Sequence, residues 1–154
     1  MPRFAAVSDA GIKFKIIANA LDIGGQSTRP NATEVDAMEE WKRIEFVIAG
    51  ILKERPEAIL SVDTFHSEVA ARALDSGAFM INDVFAGTKD EELVHVVSAR
   101  RAPLVIMHMQ GTPATMQVNP RYANASEDII TWLQQRSVDL KSQGIDQLVV
   151  DPGF

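Results

Sequence analysis

One stretch of the sequence, residues 22–30 (DIGGQSTRP), combines the residue types that hold a phosphate group. Ser27 and Thr28 carry hydroxyls that donate single hydrogen bonds, and the fork of Arg29 makes a bidentate, charged contact. The two glycines before them let the backbone bend sharply or let a ligand come close, and Pro30 stiffens the end of the loop. The segment therefore indicates a phosphate-binding loop, although an ordinary strand-to-helix loop with a solvated arginine has the same composition.

Polar side chains also recur at the ends of the predicted strands. Apolar runs predict strands at residues 21–23, 58–63, 79–81, 104–107 and 147–150. The polar groups at their ends are Asp22, Asp63, Asn82 with Asp83, His108 and Asp151. A single aspartate at such a junction is often a helix cap or a loop former, but five such ends together favour a site for a polar ligand.

The segments between these strands have the periodicity and end signals of helices. They predict helices at residues 33–55, 67–76, 89–99 and 126–142. Thr33 and Asp36 are expected at the cap of the first helix, and Thr88 with Glu91 resembles a capping box for the third. Residues 14–20 predict either a short helix or a strand. Five strands that alternate with helices predict an α/β fold with a parallel sheet and right-handed crossovers.

In a parallel sheet the polar strand ends share one rim. That rim carries the active site in an eight-stranded barrel and the ligand crevice in an open sheet. The sequence has neither G-x-G-x-x-G nor G-x-x-x-x-G-K-[ST], which disfavours a dinucleotide or P-loop site. Its three histidines form no metal-binding pattern, so no metal ligand is predicted from spacing.

Composition excludes several classes of partner. A chain of 154 residues forms one domain at most, and a hydrophobic fraction of 46% is enough for a core. The net charge is −6 and the 15 basic residues are spread along the chain, which favours neither nucleic acid nor an anionic membrane. The absence of cysteine excludes thiolate chemistry and makes the cytoplasm the default location. No apolar run approaches the length of a membrane span or of a signal peptide's core.

The segment at residues 22–30 resembles the DIGGESTRPG signature of dihydropteroate synthase, an enzyme family of folate biosynthesis. Four further segments resemble that family in the same order: SVDT at 61–64, INDV at 81–84, MHMQGTP at 107–113 and DPGF at 151–154. The resemblance implies a partial TIM (β/α)8 barrel with about five of the eight strands. It covers a domain at residues 21–154, whereas residues 1–20 match the family poorly.

The resemblance also implies a transferase reaction and a pterin site. Members of the family join 4-aminobenzoate to the pyrophosphate ester of 6-hydroxymethyl-7,8-dihydropterin and release pyrophosphate. By this resemblance, Asp151 would accept the amino group and ring N–H of the pterin, with Asp63 and Asn82 completing the polar ring. Ile81 and Met107 are expected as an apolar wall of the pterin slot, with an ordinary core position as the alternative reading.

The same resemblance assigns the catalytic step to the loop. Thr28 and Arg29 would hold the charge of the departing pyrophosphate, so no protein nucleophile is needed. His108 is expected as a structural group more than as a direct ligand. The family binds Mg²⁺ through an asparagine of its first strand, and no counterpart of that asparagine is found in this sequence. Magnesium is therefore an expectation from the family alone.

A partial barrel has consequences for assembly and activity. Open sheet edges are expected at residues 21–23 and 147–150, and such edges predict self-association or a homo-oligomer. The chain by itself is expected to have little or no synthase activity.

Two alternatives stay open: a related pterin-binding barrel that carries methyl groups on folate, and a non-catalytic fragment that binds pterin or assembles with a complementary chain. The Ser-Thr-Arg-Pro loop argues against the first, because a methyl carrier has no pyrophosphate to hold.

Overall fold

The computed structural model describes residues 13–17, 20–27, 34–112, 115–116 and 119–153. In this part of the chain, strands form one sheet and helices alternate with them. The strands are β1 (Lys13–Ile17), β2 (Ala20–Gly24), β3 (Ile59–Asp63), β4 (Met80–Asp83), β5 (Leu104–Met107) and β6 (Leu148–Asp151). The helices are α1 (Ala37–Glu54), α2 (Ser67–Asp75), α3 (Glu92–Ala99) and α4 (Ala125–Ser142).

The strands from β2 to β6 run parallel and lie side by side in chain order. One helix lies between each consecutive pair, which confirms the predicted five-strand α/β alternation. Parallel strands need a crossover connection, and the helices of those crossovers cover the sheet. The carboxyl ends of all five strands therefore meet at one rim of the sheet.

β1 is the segment for which the sequence left helix and strand open. It runs antiparallel to β2, with Ile17 opposite Ala20 and Lys13 opposite Gly24. The prediction of an open edge at residues 21–23 is therefore wrong, because the preceding segment folds back and pairs along the whole of β2. Within the described residues, the edges of the sheet are the outer sides of β1 and β6.

Side chains of the parallel strands alternate between two faces of very different character. The apolar face packs against the helices and is formed by fully buried residues: Ile23, Leu60, Val62, Ile81, Leu104 and Ile106. The polar face carries the residues between them in the register: Asp22, Ser61, Asp63, Asn82, Met107 and Asp151. Helix residues such as Ile44, Val69 and Leu93 complete the core on the apolar side, so the polar face remains available to a ligand.

Two helices begin later than predicted, for local reasons. Asp36 is itself the N-cap of α1, because its carboxylate accepts a hydrogen bond from the Glu39 amide at 2.8 Å. The predicted capping box of α3 does not form. Thr88 instead donates its hydroxyl proton to the carbonyl of Phe85 at 2.7 Å, which makes it part of the turn after β4. α3 therefore begins at Glu92 and not at residue 89.

Candidate functional site

The polar face brings together most of the residues that the sequence placed at a ligand site. Asp63 lies level with Asn82 on the neighbouring strand, and Met107 lies level with Asp151. Because side chains two residues apart share a face, these four residues lie on one side of the sheet at its carboxyl end. Asp63 and Asp151 stand on either side of Asn82 and Met107, so the two carboxylates flank an amide and an apolar side chain.

Ile81 does not belong to this group. It is fully buried in the core on the apolar face, directly before Asn82 in the chain. Successive residues of a strand point to opposite faces, so Ile81 and Asn82 cannot line the same slot. The expectation that Ile81 forms a wall of the pterin site is therefore wrong, and its alternative, an ordinary core position, is confirmed. Met107 lies on the polar face.

The Asn82 side chain crosses a neighbouring strand to reach Asp22. Its Nδ2 donates a hydrogen bond to Oδ2 of Asp22 at 3.1 Å. Ser61 on the intervening strand is small, and Gly24 has no side chain, so the path between them is open. The other oxygen of Asp22, Oδ1, is buried and has no hydrogen-bond partner within the described residues. Sequence reasoning marked Asp22 as a polar strand end but gave it no partner.

Asp63 is held close to the backbone of β2. A methyl group placed at Gly24 would lie 3.3 Å from Cβ of Asp63 and 3.5 Å from its Oδ2. The 3.3 Å distance is tighter than ordinary packing and the 3.5 Å distance is an ordinary contact, so the absence of a side chain at Gly24 lets the Asp63 side chain lie close against β2. The glycine thus serves the site by making room, beside any role in bending the loop.

Asp151 has a structural contact as well as a place on the polar face. Its Oδ1 accepts a hydrogen bond from the Gly153 amide at 2.8 Å, which closes the Asp-Pro-Gly turn. Gly153 has a φ of 78°, and a Cβ there would run into the carbonyl oxygen of His108. The turn therefore orients the carboxylate while leaving the side chain exposed.

The other polar strand ends face the helices. Asp83 is buried and accepts hydrogen bonds from the amides of Phe85 at 2.8 Å and Gly87 at 2.5 Å. Burial raises the pKa of Asp83 to about 6, and the two amide hydrogen bonds oppose that rise. Asp83 thus holds the turn after β4 and is not placed to contact a ligand on the polar face.

His108 is also buried on the helix side. Its ring packs edge-on against Trp132, with centroids 5.3 Å apart, and obliquely against Tyr122 at 5.8 Å. Burial lowers the pKa of His108, which favours the neutral ring. These contacts support the structural role expected for it.

The glycine-rich segment is anchored at both ends, although Thr28 and Arg29 lie outside the described residues. Gly25 packs against α1 so closely that a Cβ would lie 2.7 Å from the backbone oxygen of Glu40. Nη1 of Arg43 donates to the Gly25 carbonyl at 3.1 Å, and the Val35 amide donates to Oε1 of Gln26 at 2.9 Å. The start and the exit of the loop are therefore tied to each other and to α1.

Sequence reasoning missed Glu40, a buried carboxyl beneath this loop. Its Oε2 accepts a hydrogen bond from the hydroxyl of Thr64 at 2.8 Å, and Thr64 directly follows Asp63. Burial raises the pKa of Glu40, against the Thr64 hydrogen bond and the nearby charges of His66 and Arg43, which lower it. A signal was available, because Glu40, Ile44 and Ile48 follow each other at four-residue steps on one helix face.

A second missed feature joins three loops at the rim. Nζ of Lys89 lies 3.9 Å from the ring centroid of Phe65 and 4.8 Å from that of Phe85, and the two rings meet edge to face. The same ammonium group pairs with Glu34 at 2.5 Å, just beyond the loop at residues 22–30. Lys89 therefore connects the loops after β2, β3 and β4.

The described part of the chain contains no group of three or more histidine, cysteine or acidic residues placed to hold a metal ion. The helices of the described part are all too short or too polar to cross a membrane.

Comparisons with known proteins agree with this geometry. The family model described as "Pterin binding enzyme" matches residues 5–154. The dihydropteroate synthase of Haemophilus influenzae is 40% identical over 139 residues, which cover 89% of this chain and 50% of that protein. The structure of Yersinia pestis dihydropteroate synthase in a sulfonamide drug complex superposes with a TM-score of 0.82 at 36% identity and covers 89% of this chain and 50% of that one.

A further solved structure is that of Xanthomonas albilineans dihydropteroate synthase with 4-aminobenzoic acid. Its TM-score is 0.79 at 40% identity, and the match covers 89% of this chain and 48% of that one. The chain therefore spans about half the length of these relatives. The structural neighbours are TIM barrels, so the five parallel strands correspond to part of a (β/α)8 barrel.

Proposed function

Because the chain belongs to the family of pterin-binding enzymes, we propose that the polar face of its sheet binds the pterin substrate of dihydropteroate synthase. The observation that carries the proposal is the shared face of Asp63, Asn82 and Asp151 at the carboxyl end of the sheet. A pterin presents an amino group and a ring N–H side by side, and carboxylate and amide oxygens accept such donors. Met107 lies on the same face and supplies an apolar surface for the flat ring.

In the proposed reaction, the bond between the pterin's methylene carbon and the pyrophosphate oxygen breaks. The amine nitrogen of 4-aminobenzoate forms the new bond to that carbon and loses a proton. Thr28 and Arg29 would stabilise the charge on the departing pyrophosphate, since a guanidinium and a hydroxyl are suited to phosphate oxygens. The anchoring of Gly25 and Gln26 supports this assignment, because it fixes where the loop starts.

Magnesium has a limited place in this proposal. Mg²⁺ is commonly bound through substrate phosphates and one or two carboxylates, and it would then add charge neutralisation at the pyrophosphate. The described residues contain no group of three or more candidate metal ligands, so every role above is assigned to the chain's own side chains.

The proposal also includes self-association of the chain through the outer side of β6. The outer side of β6 pairs with no strand in the described part of the chain. Val149 and Val150 on this strand are each 50% exposed, and Ile130 and Val138 on the adjoining helix α4 are 53% and 63% exposed. An open strand edge beside exposed apolar side chains favours pairing with a second copy of the chain.

The pterin site is tested by calorimetry with 6-hydroxymethylpterin. Asp151→Asn should weaken binding by roughly 10- to 100-fold, because a charged hydrogen-bond acceptor is replaced by a neutral one. Asp146→Asn is the matched control, since this exposed aspartate precedes β6 at the opposite end of the strand. Equal affinity of the Asp151→Asn variant and the unmodified chain would remove the proposed anchor.

Competition by pyrophosphate would support an adjoining phosphate site and would distinguish a synthase from a methyl carrier.

A further inference from the structure

Asp22 is not among the proposed pterin contacts, but its side chain holds one of them, Asn82. Nδ2 of Asn82 donates to Oδ2 of Asp22 at 3.1 Å across the intervening strand. An amide has a donor end and an acceptor end of the same shape, and a free asparagine can turn either end toward a ligand. A carboxylate only accepts hydrogen bonds, so Asp22 attracts the amino end and repels the carbonyl end.

We propose that Asp22 is a positioning residue that fixes the orientation of the Asn82 amide and thereby determines which ligand edge the site accepts. With Nδ2 held at Asp22, the carbonyl oxygen of Asn82 is the arm of the amide that Asp22 does not engage. That oxygen then joins the carboxylates of Asp63 and Asp151 on the same face as a third acceptor. A site built of acceptors selects a heterocycle whose edge carries donors.

The surroundings of the pair support this role. Ser61 lies beside Asp22 on the intervening strand and is 5% exposed, so a small, buried side chain flanks the crossing between Asp22 and Asn82. Oδ1 of Asp22 is buried and has no partner within the described residues, so this carboxylate is not satisfied as an ordinary core or capping group would be. A buried carboxylate oxygen without a hydrogen-bond partner is costly, and such a cost persists where a site needs the group.

The inference rests on the proposed pterin site for its ligand, but the amide orientation can be measured without any ligand. In the ¹H–¹⁵N spectrum of the unmodified chain, one Nδ2 proton of Asn82 should be shifted downfield and protected from exchange. Asp22→Ala should return this signal to the position of a solvated amide, and Asp22→Asn should retain most of the shift because it keeps an acceptor. An Asn82 signal already at the solvated position in the unmodified chain would overturn the inference without any variant.

Ligand selectivity provides the second readout. The two probes are 6-hydroxymethylpterin and 6-hydroxymethyllumazine, in which a carbonyl replaces the amino group. Asp22→Ala should reduce the preference for the pterin by about tenfold, which is the value of one hydrogen bond. Asp22→Asn should restore most of the preference, and Ser61→Ala should leave it unchanged, since Ser61 lies beside Asp22 on the same face.

The two readouts separate failure of the inference from failure of the proposed function. If Asp22→Ala keeps both the amide signal and the pterin preference of the unmodified chain, Asp22 does not position Asn82. If the unmodified chain binds neither probe, the proposed pterin site fails, and the amide signal still decides whether Asp22 orients Asn82. A uniform loss of affinity for both probes, with the preference retained, would show a merely structural role and would also overturn the inference.

Discussion

The buried carboxyl of Asp83 should make the stability of this protein depend on pH in a defined direction. Asp83 is 1% exposed, and its carboxylate is held by two backbone amides of the turn after β4. Asp83→Asn removes the titration and keeps the shape of the side chain. The asparagine retains one acceptor, so one of the two amides loses its partner at every pH.

The sign follows from the raised pKa. Burial raises the pKa of Asp83 from its ordinary value of 3.8 to about 6, so the folded state binds this proton more tightly than the unfolded state does. The stabilisation from Asp83 is therefore complete below about pH 3.8 and is lost as the pH rises through about 6. At 1.36 kcal/mol per pKa unit, the loss amounts to about 3 kcal/mol.

The measurement is the free energy of unfolding in urea at several pH values from 3 to 7. The difference between Asp83→Asn and the unmodified chain isolates Asp83, because Glu40 and His108 titrate equally in both proteins. We expect this difference to move by about 3 kcal/mol in favour of the variant as the pH rises. Asp146→Asn, at an exposed position, serves as the control. A difference that stays constant over the range would refute the assignment of a raised pKa to Asp83.

Three further predictions concern backbone space, backbone conformation and assembly. Gly25→Ala should destabilise the fold by about 1–3 kcal/mol in urea denaturation, because the new methyl would lie 2.7 Å from the backbone oxygen of Glu40. Arg101→Gly should stabilise by up to about 1 kcal/mol in thermal unfolding, because the exposed Arg101 has a φ of 51°. Val150→Lys should weaken the proposed self-association in sedimentation velocity, because Val150 is 50% exposed beside the open edge of the sheet.

Each of these predictions has a matched control within the chain. Gly50→Ala places a methyl in open space on α1 and should be neutral or stabilising, so equal effects at Gly25 and Gly50 would contradict the packing argument. Arg101→Ala removes the charge but keeps Cβ, and a gain as large as that of the glycine variant would exclude backbone strain. Phe46→Lys alters a side chain that is 78% exposed on α1 and should not change assembly. An unmodified chain that is monomeric at tens of micromolar would contradict the role of Val150.

The errors of sequence reasoning at the site had different causes. The placement of Ile81 beside Asn82 ignored a signal that was present, since neighbours in a strand cannot share a face. The strand β1 was left undecided although its sequence, KFKII, begins with alternating lysine and apolar residues that fit a strand. The predicted capping box at Thr88 failed because the hydroxyl of that residue is used by the turn after β4.

Other features had no signal in the sequence. Nothing local connects Asp22 with Asn82, which are 60 residues apart and meet only through the pairing of β2, β3 and β4. The same holds for Lys89, whose partner Glu34 is 55 residues away. Such contacts depend on which strands become neighbours and in which register.

The sequence alone determined the alternation of strands and helices, the polar strand ends, the composition of the loop at residues 22–30 and the resemblance to pterin-binding enzymes. These features are local, because they depend on residue types, short spacings and periodicity. Only the tertiary structure decided that Asp63, Asn82, Met107 and Asp151 share one face while Asp83 and His108 face the helices. The physical reason is that a shift of one residue in strand register exchanges the two faces, and packing of the helices against the sheet selects the register.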